Sequence, residues 1–205
     1  MATYASQDKV EKILGRELTP DEAALFPLVA GAIDNFINDA LGGVGFGNPE
    51  PSTRYYDNIK SRFLEIDPVY KDLAHKEGDE EKPIDFKVEY VDSLDNPTST
   101  VDSSAFAARP RNEKVKTYLQ LRNGIWRRGV ANVAVTGKFT RGLTVPADIE
   151  YAANYLAAQY LVGVSEDSLS LERESIEGYS RTFATIAKQN PVILQVFDKY
   201  KDIML

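Results

Sequence analysis

The residues able to do chemistry are few and scattered along the chain. His75 is the sole histidine and stands in a polar stretch beside Lys76. A Ser–His–Asp triad would need it, yet no Gly-x-Ser-x-Gly elbow accompanies it. One imidazole also brings no second ligand to a metal. The chain has no cysteine, which removes thiolate ligands and disulfides together. Gly43, Gly45 and Gly47 form a glycine-rich loop, but a dinucleotide fingerprint has a strand before its glycines and a helix after them. Here a helix comes first, so the glycines read as a helix stop and a connection. Glu77, Asp79, Glu80 and Glu81 lack the Asp-x-Asp-x-Asp-Gly spacing and the closing bidentate Glu of a calcium loop. No two carboxylates stand out as a glycosidase pair. Trp126 lies in Gly124-Ile125-Trp126-Arg127-Arg128-Gly129. Arg beside Trp could stack on a nucleic-acid base, whereas the simpler reading is a turn whose tryptophan plugs the edge of a β core. The expectation is a protein that is not an enzyme, with no catalytic, cofactor-binding or metal-binding residue and no cofactor.

The positioning framework starts from composition. The 205 residues are 43% hydrophobic and 27% charged, ordinary globular usage, and amount to one large domain or two small ones. The formal net charge of −7 argues against a DNA-binding surface as the main business. That charge is segregated. From Glu77 to Asp102 nine acids face only Lys82 and Lys87, and from Arg109 to Arg141 nine Lys or Arg face only Glu113. The start Met1-Ala2-Thr3-Tyr4 carries no basic-then-apolar signal, and the longest mostly apolar stretch, Ala23 to Ala32, is too short to span a bilayer. The expectation is a soluble protein made in a cytoplasm, with no membrane contact.

Thr19-Pro20-Asp21-Glu22 predicts a helix start, with Thr as cap, Pro in the first turn and Glu at the capping-box position. A helical stripe of Leu25, Val29, Ile33, Phe36, Ile37 and Ala40 follows, with Pro27 as a candidate kink and Gly42-Gly43 as the stop. A shorter helix is expected around Asp8 to Leu14. The period then changes. Segments 54–57 and 61–67 read as two strands joined by a tight turn at Asn58, and further strands are expected at 84–91, 115–121 and 133–135. The Ser/Asp/Thr/Pro-rich stretch from Asp92 to Pro110 reads as a long exposed loop. Helix returns at Val145-Pro146-Ala147-Asp148 and is expected to close at Gly163. A last helix follows Asn190-Pro191 and carries Ile193, Val196, Phe197 and Tyr200. The fold class is α+β: N- and C-terminal helices form a bundle, and an antiparallel β subdomain is inserted. The expected divisions are 1–50, 51–144 and 145–205.

Four stretches together resemble the head-to-tail connector (adaptor, neck) proteins of tailed bacteriophages, in the variant with a β insertion between helices. Arg54-Tyr55-Tyr56-Asp57 with 61–67 resembles the entry hairpin of that insertion. Asn123-Gly124-Ile125-Trp126 with 132–137 resembles its exit strands. Val145 to Ala153 resembles the helix that follows, and Glu174 to Ser180 the loop before the terminal helix. The likeness runs from about Thr19 to the end. Glu177 before Gly178 departs from a tighter Ser-Ile-Gly pattern, and the acidic stretch 77–102 has no counterpart.

The resemblance implies a structural virion protein of the neck, between capsid and tail, assembled in the host cytoplasm. It implies a homo-oligomeric ring, twelvefold, that extends the DNA channel below the portal and meets the next neck or tail-completion protein. DNA would pass without sequence recognition. The C-terminal segment would face the portal protein, which makes Phe197, Tyr200, Ile203, Met204 and Leu205 the candidate docking residues. The apolar end fits a partner groove or folding back on its own core, and the sequence holds both open. Opposite charges suit the two faces of a heterologous ring contact. The candidates are Glu80, Glu81, Asp85 and Glu89 against Lys114, Lys116, Arg127 and Arg128, with pairing inside one subunit as the other reading. Two alternatives stay open: another virion ring, such as a tail-completion or tail-terminator protein, and a ligand-binding module using Trp126, Tyr55 and Tyr56.

Overall fold

The computed structural model describes residues 3–70, 86–110, 115–166 and 176–201. It is an α+β fold that divides into a helical unit, Met1–Gly45 with Thr144–Leu205, and a β unit, Phe46–Leu143.

In the helical unit, α1 spans Gln7–Leu14 and α2 spans Pro20–Ala40. The start of α2 is doubly fixed. The Thr19 hydroxyl accepts from the Glu22 N–H at 3.3 Å, and the Glu22 carboxylate accepts from the Thr19 N–H at 2.8 Å. Arg16 adds a bidentate clamp on Glu22, at 2.7 Å to each oxygen. The helix runs on through Pro27, which is exposed. Val29, Ile33 and Ile37 are fully buried on its inner face.

The third helix, α3, spans Ala147–Glu166, so Gly163 does not end it as the sequence predicted. A glycine inside a helix costs about 1 kcal/mol, and burial of Ile149, Ala152, Ala153, Leu156, Ala157 and Leu161 outweighs that. A second correction concerns 174–180. The expected loop before the last helix is occupied from Ile176 onward by α4, Ile176–Gln189. Its apolar residues are concentrated toward its end, where Phe183 and Ala187 are buried. Phe183 meets Phe36 and Tyr160 with ring centroids 5.8 and 5.4 Å apart. The final helix, α5, spans Pro191–Lys201, and the Asn190 side chain caps it by accepting from the Val192 N–H at 3.1 Å.

Among the described residues the β unit holds seven strands: β1 Ser52–Asn58, β2 Phe63–Tyr70, β3 Lys87–Val91, β4 Pro97–Thr100, β5 Phe106–Arg109, β6 Val115–Leu121 and β7 Gly129–Gly137. They make two antiparallel sheets, ordered β1-β7-β3-β4 and β2-β6-β5. The predicted β1–β2 hairpin is therefore not a hairpin. The two strands belong to different sheets, β1 pairing with β7 and β2 with β6. Asn58 folds the connection between them tightly. Its Oδ1 accepts from the Lys60 and Ser61 N–H groups, its Nδ2 donates to the Phe63 carbonyl, and Lys60 takes φ 67°.

The stretch 92–110 is a third correction. The sequence predicted a long loop, but it contains β4, a 3₁₀ turn at Ser103–Ala105, and β5. β4 is a polar, largely exposed edge strand. Its register comes from β3, with Tyr90 opposite Ser99 and Glu89 opposite Thr100, rather than from an apolar pattern of its own.

Trp126 ties the sheets together. It is fully buried, donates from Nε1 to the Leu119 carbonyl at 3.2 Å, and lies 6.3 Å from the Tyr90 ring and 6.5 Å from the Phe106 ring. The bland reading of its motif, a tryptophan filling the β core, holds.

Candidate functional site

The glycine-rich segment serves the backbone. Gly43 has φ 83°, which only glycine adopts without strain. Gly45 lies against two side chains: an added Cβ would sit 1.9 Å from Asn38 Oδ1 and 2.0 Å from the Tyr4 hydroxyl. Those two groups are hydrogen-bonded at 2.6 Å, and the Tyr4 N–H donates to Asp34 Oδ1 at 2.9 Å. The segment therefore closes α2 onto the first residues of the chain.

Asp34 was not foreseen as notable. It is 8% exposed on the inner side of α2, and burial pushes its carboxyl up to about 6, against the pull of the Tyr4 amide. The sequence signal was an acid four residues after Ala30, which is buried on the same helix.

Of the candidate docking residues, Phe197 and Tyr200 turn toward their own unit. Phe197 is 6% exposed and meets Phe36 edge-on at 6.0 Å. The Tyr200 hydroxyl donates to both Asp148 oxygens at 2.8 and 3.1 Å, and Lys199 pairs with Asp148 at 2.7 Å. Burial pushes Asp148 up, but these hydrogen bonds outweigh it and hold the carboxyl below its usual value. The end of α5 is thus clasped to the start of α3. Ile203, Met204 and Leu205 lie outside the described residues. A shallow cleft of about 260 Å3 opens between α1 and α3, lined by Lys9, Lys12, Ile13, Ala147, Glu150 and Tyr151 among others. Lys9 pairs with Glu150 across it.

Of the charge-pairing candidates, Glu80, Glu81, Asp85 and Lys114 lie outside the described residues, as does His75. Glu89 pairs with Lys87 at 2.7 Å, and the Thr100 hydroxyl reaches it at 3.4 Å. Lys116 is 8% exposed and donates to the Pro110 carbonyl at 2.5 Å. Both are engaged inside their own unit. Arg127 and Arg128 are exposed, and Arg127 also stacks 4.4 Å over the Tyr90 ring. The Trp126–Tyr55–Tyr56 platform does not form. Trp126 has no exposed face, and Tyr56 is turned to Asp67, donating at 2.8 Å, which leaves Tyr55 as the exposed ring.

A further polar cluster joins β1 to β2. Arg54 pairs with Asp67 at 2.8 Å and stacks 4.7 Å over Phe139. Burial raises the Tyr56 phenol and lowers Arg141, which Asp67 partly offsets for the arginine. Among the described residues no three His, Cys, Asp or Glu side chains form a group that could hold a metal. No helix among them is long and apolar enough to cross a membrane.

No protein-family model matches the sequence, and no curated protein aligns with it significantly. Among solved structures, the chain is similar to one from the neck of an empty GTA particle computed with C6 symmetry. The identity is 13% and the TM-score 0.47, over 89% of this chain and 92% of that one.

Proposed function

We propose that this chain is a structural protein of a tailed-phage neck, one copy of a ring that joins the portal vertex to the tail or next neck protein and extends the DNA channel. The supporting observation is the way the chain is spliced. A β unit, Phe46–Leu143, is inserted between α2 and α3 of a helical unit, the arrangement that the resemblance implies. Of its four stretches, 132–137 falls within β7 and Val145 to Ala153 on the start of α3, as expected, while 54–57 and 61–67 are strands but of different sheets. The reading assigns the chain no catalytic role and no cofactor.

In this reading Phe197 and Tyr200 act by fixing α5, so that the residues after Lys201 leave from a defined place beside Asp148. Ile203, Met204 and Leu205 then provide the apolar contact with the portal. Cosedimentation with the portal oligomer of the same genome tests this. The full chain should travel with the portal, and removal of residues 203–205 should weaken that association. A truncated chain that binds as well as the full one refutes tail docking, and a full chain that never binds portal refutes the neck assignment.

A further inference from the structure

The outer face of α2 is apolar and uncovered. From Ala23 to Ile33 the helix carries no polar side chain, so it is apolar all round for about three turns, as buried helices are. One face packs inward through Phe26, Val29, Ala30 and Ile33. The opposite face exposes Ala24, Pro27, Leu28 and Gly31. Leu28 is 58% exposed, and a Cβ added at Gly31 would meet nothing within 4 Å. The charges of this helix are all of one sign. α2 holds no Lys, Arg or His, while Asp21 stands exposed at its start and Asp39 at its end. Two copies of the face laid on one another, parallel or antiparallel, would set acid against acid. Its partner is therefore a different surface, apolar and basic.

We infer that the α1–α3 cleft of a neighbouring copy is that partner, with Leu28 seated between Ile13 and Tyr151, as the head-to-tail contact of the proposed ring, on which this inference rests. The cleft is concave where α2 is convex, and its walls present Ile13, 37% exposed, and Tyr151, 50% exposed. Lys9 and Lys12 supply the cations. Lys9 is held by Glu150, whereas Lys12 is exposed and makes no ion pair among the described residues. Asp21 makes none among them either, and it lies about 10 Å along α2 from Leu28. An apolar knob with an acid beyond it thus meets an apolar groove with a cation at its rim. The two surfaces lie on different sides of the unit, with α3 between them. Glu150, Tyr151 and Asn154 line the cleft, and Asn154 Oδ1 accepts from the Ser6 N–H at 2.8 Å. Tyr160 lies on another side of α3, against Phe183 of α4, which in turn meets Phe36 of α2. The outer face of α2 points away from these contacts. Two unlike surfaces on different sides are what a heterologous interface needs in order to repeat from copy to copy and close a ring.

The chain has no cysteine, so engineered thiols report the contact directly. Full chains carrying Leu28→Cys or Ile13→Cys alone are mixed and oxidised, free and with the portal oligomer of the same genome. Products are resolved on a non-reducing gel, and mass spectrometry of their peptides identifies the joined pair. A 13–28 dimer is expected, in about fivefold or greater yield than the 28–192 dimer from Leu28→Cys mixed with Val192→Cys, a position exposed on α5 outside both surfaces. Asp21→Lys in the Leu28→Cys chain, or Lys12→Glu in the Ile13→Cys chain, should lower the 13–28 yield about fivefold, and the two together should restore it. Each changed residue is exposed, and circular dichroism of each variant confirms the fold. A 28–28 dimer formed as readily as the 13–28 one would overturn the inference. So would a 13–28 yield no higher than that of the control pair, or one that the charge changes leave untouched. Cosedimentation with portal, read in parallel, separates the two claims. Portal binding without the 13–28 dimer overturns only this contact; the dimer without portal binding leaves the contact standing and overturns the neck assignment.

Discussion

Replacing Asp34 by Asn should stabilise the protein at neutral pH and flatten its pH dependence. Asp34 is 8% exposed, and its carboxyl is lifted from 3.8 to about 6 by burial. A raised folded-state value means that the folded form holds the proton more tightly than the unfolded chain does. The group's favourable contribution is therefore complete below about pH 4 and is lost as pH rises through about 6. Two pKa units correspond to about 3 kcal/mol. Asn keeps an oxygen for the Tyr4 N–H, which Asp34 now accepts at 2.9 Å, but brings an amide that also needs a partner, at a cost of about 1 kcal/mol. The net expectation for Asp34→Asn is a gain of about 1–3 kcal/mol at pH 7.5, falling to nothing or a small loss at pH 4. Urea denaturation followed by circular dichroism at pH 4, 6 and 7.5 measures it, with the difference between variant and parent isolating this group from others that titrate. A variant less stable than its parent at pH 7.5, by an amount that does not change with pH, would refute the reasoning.

Three further outcomes follow from the same packing. Glu22 is held down to about 2, first by the Arg16 hydrogen bonds, so its contribution is present above about pH 4.5 and lost as pH falls toward 2. Because Arg16 is partly exposed the effect is about 1–2 kcal/mol, and Glu22→Gln should remove it at pH 7, read as a lower urea midpoint. Trp126→Phe loses the bond to the Leu119 carbonyl and part of the ring that fills the space between the sheets; a loss of about 1–3 kcal/mol is expected by chemical denaturation. Gly45→Ala drives a methyl into Tyr4 and Asn38 and should cost about 1–3 kcal/mol, seen as a lowered melting temperature.

Much of this was legible in the sequence, for identifiable reasons. The capping box at Thr19 and the stripe through Val29, Ile33 and Ile37 are local signals, and both elements form as expected. The strands at 115–121 and 133–135 carry their own alternation or β-branched runs. What the sequence hid depends on distant partners. β4 is Pro-Thr-Ser-Thr and is a strand only because β3 lies beside it. The Asn58 turn has the chemistry of a hairpin, and only the pairing of β1 with β7 and β2 with β6 shows that it crosses between sheets. α4 opens on Ile-Glu-Gly-Tyr-Ser, whose Glu177, Gly178 and Ser180 read as loop, and Phe183 and Ala187 are buried further along it. Among the candidate site residues, charge was readable but engagement was not. Lys116 and Glu89 look like Arg128 in sequence, yet they are tied to Pro110 and Lys87 within their own unit.

The most direct test of the neck assignment is electron microscopy of the full chain mixed with the portal oligomer encoded in the same genome. The account predicts a closed ring of added density coaxial with the portal, on the side that faces the tail. Portal particles unchanged by excess chain, with the chain dispersed as single copies, would contradict it.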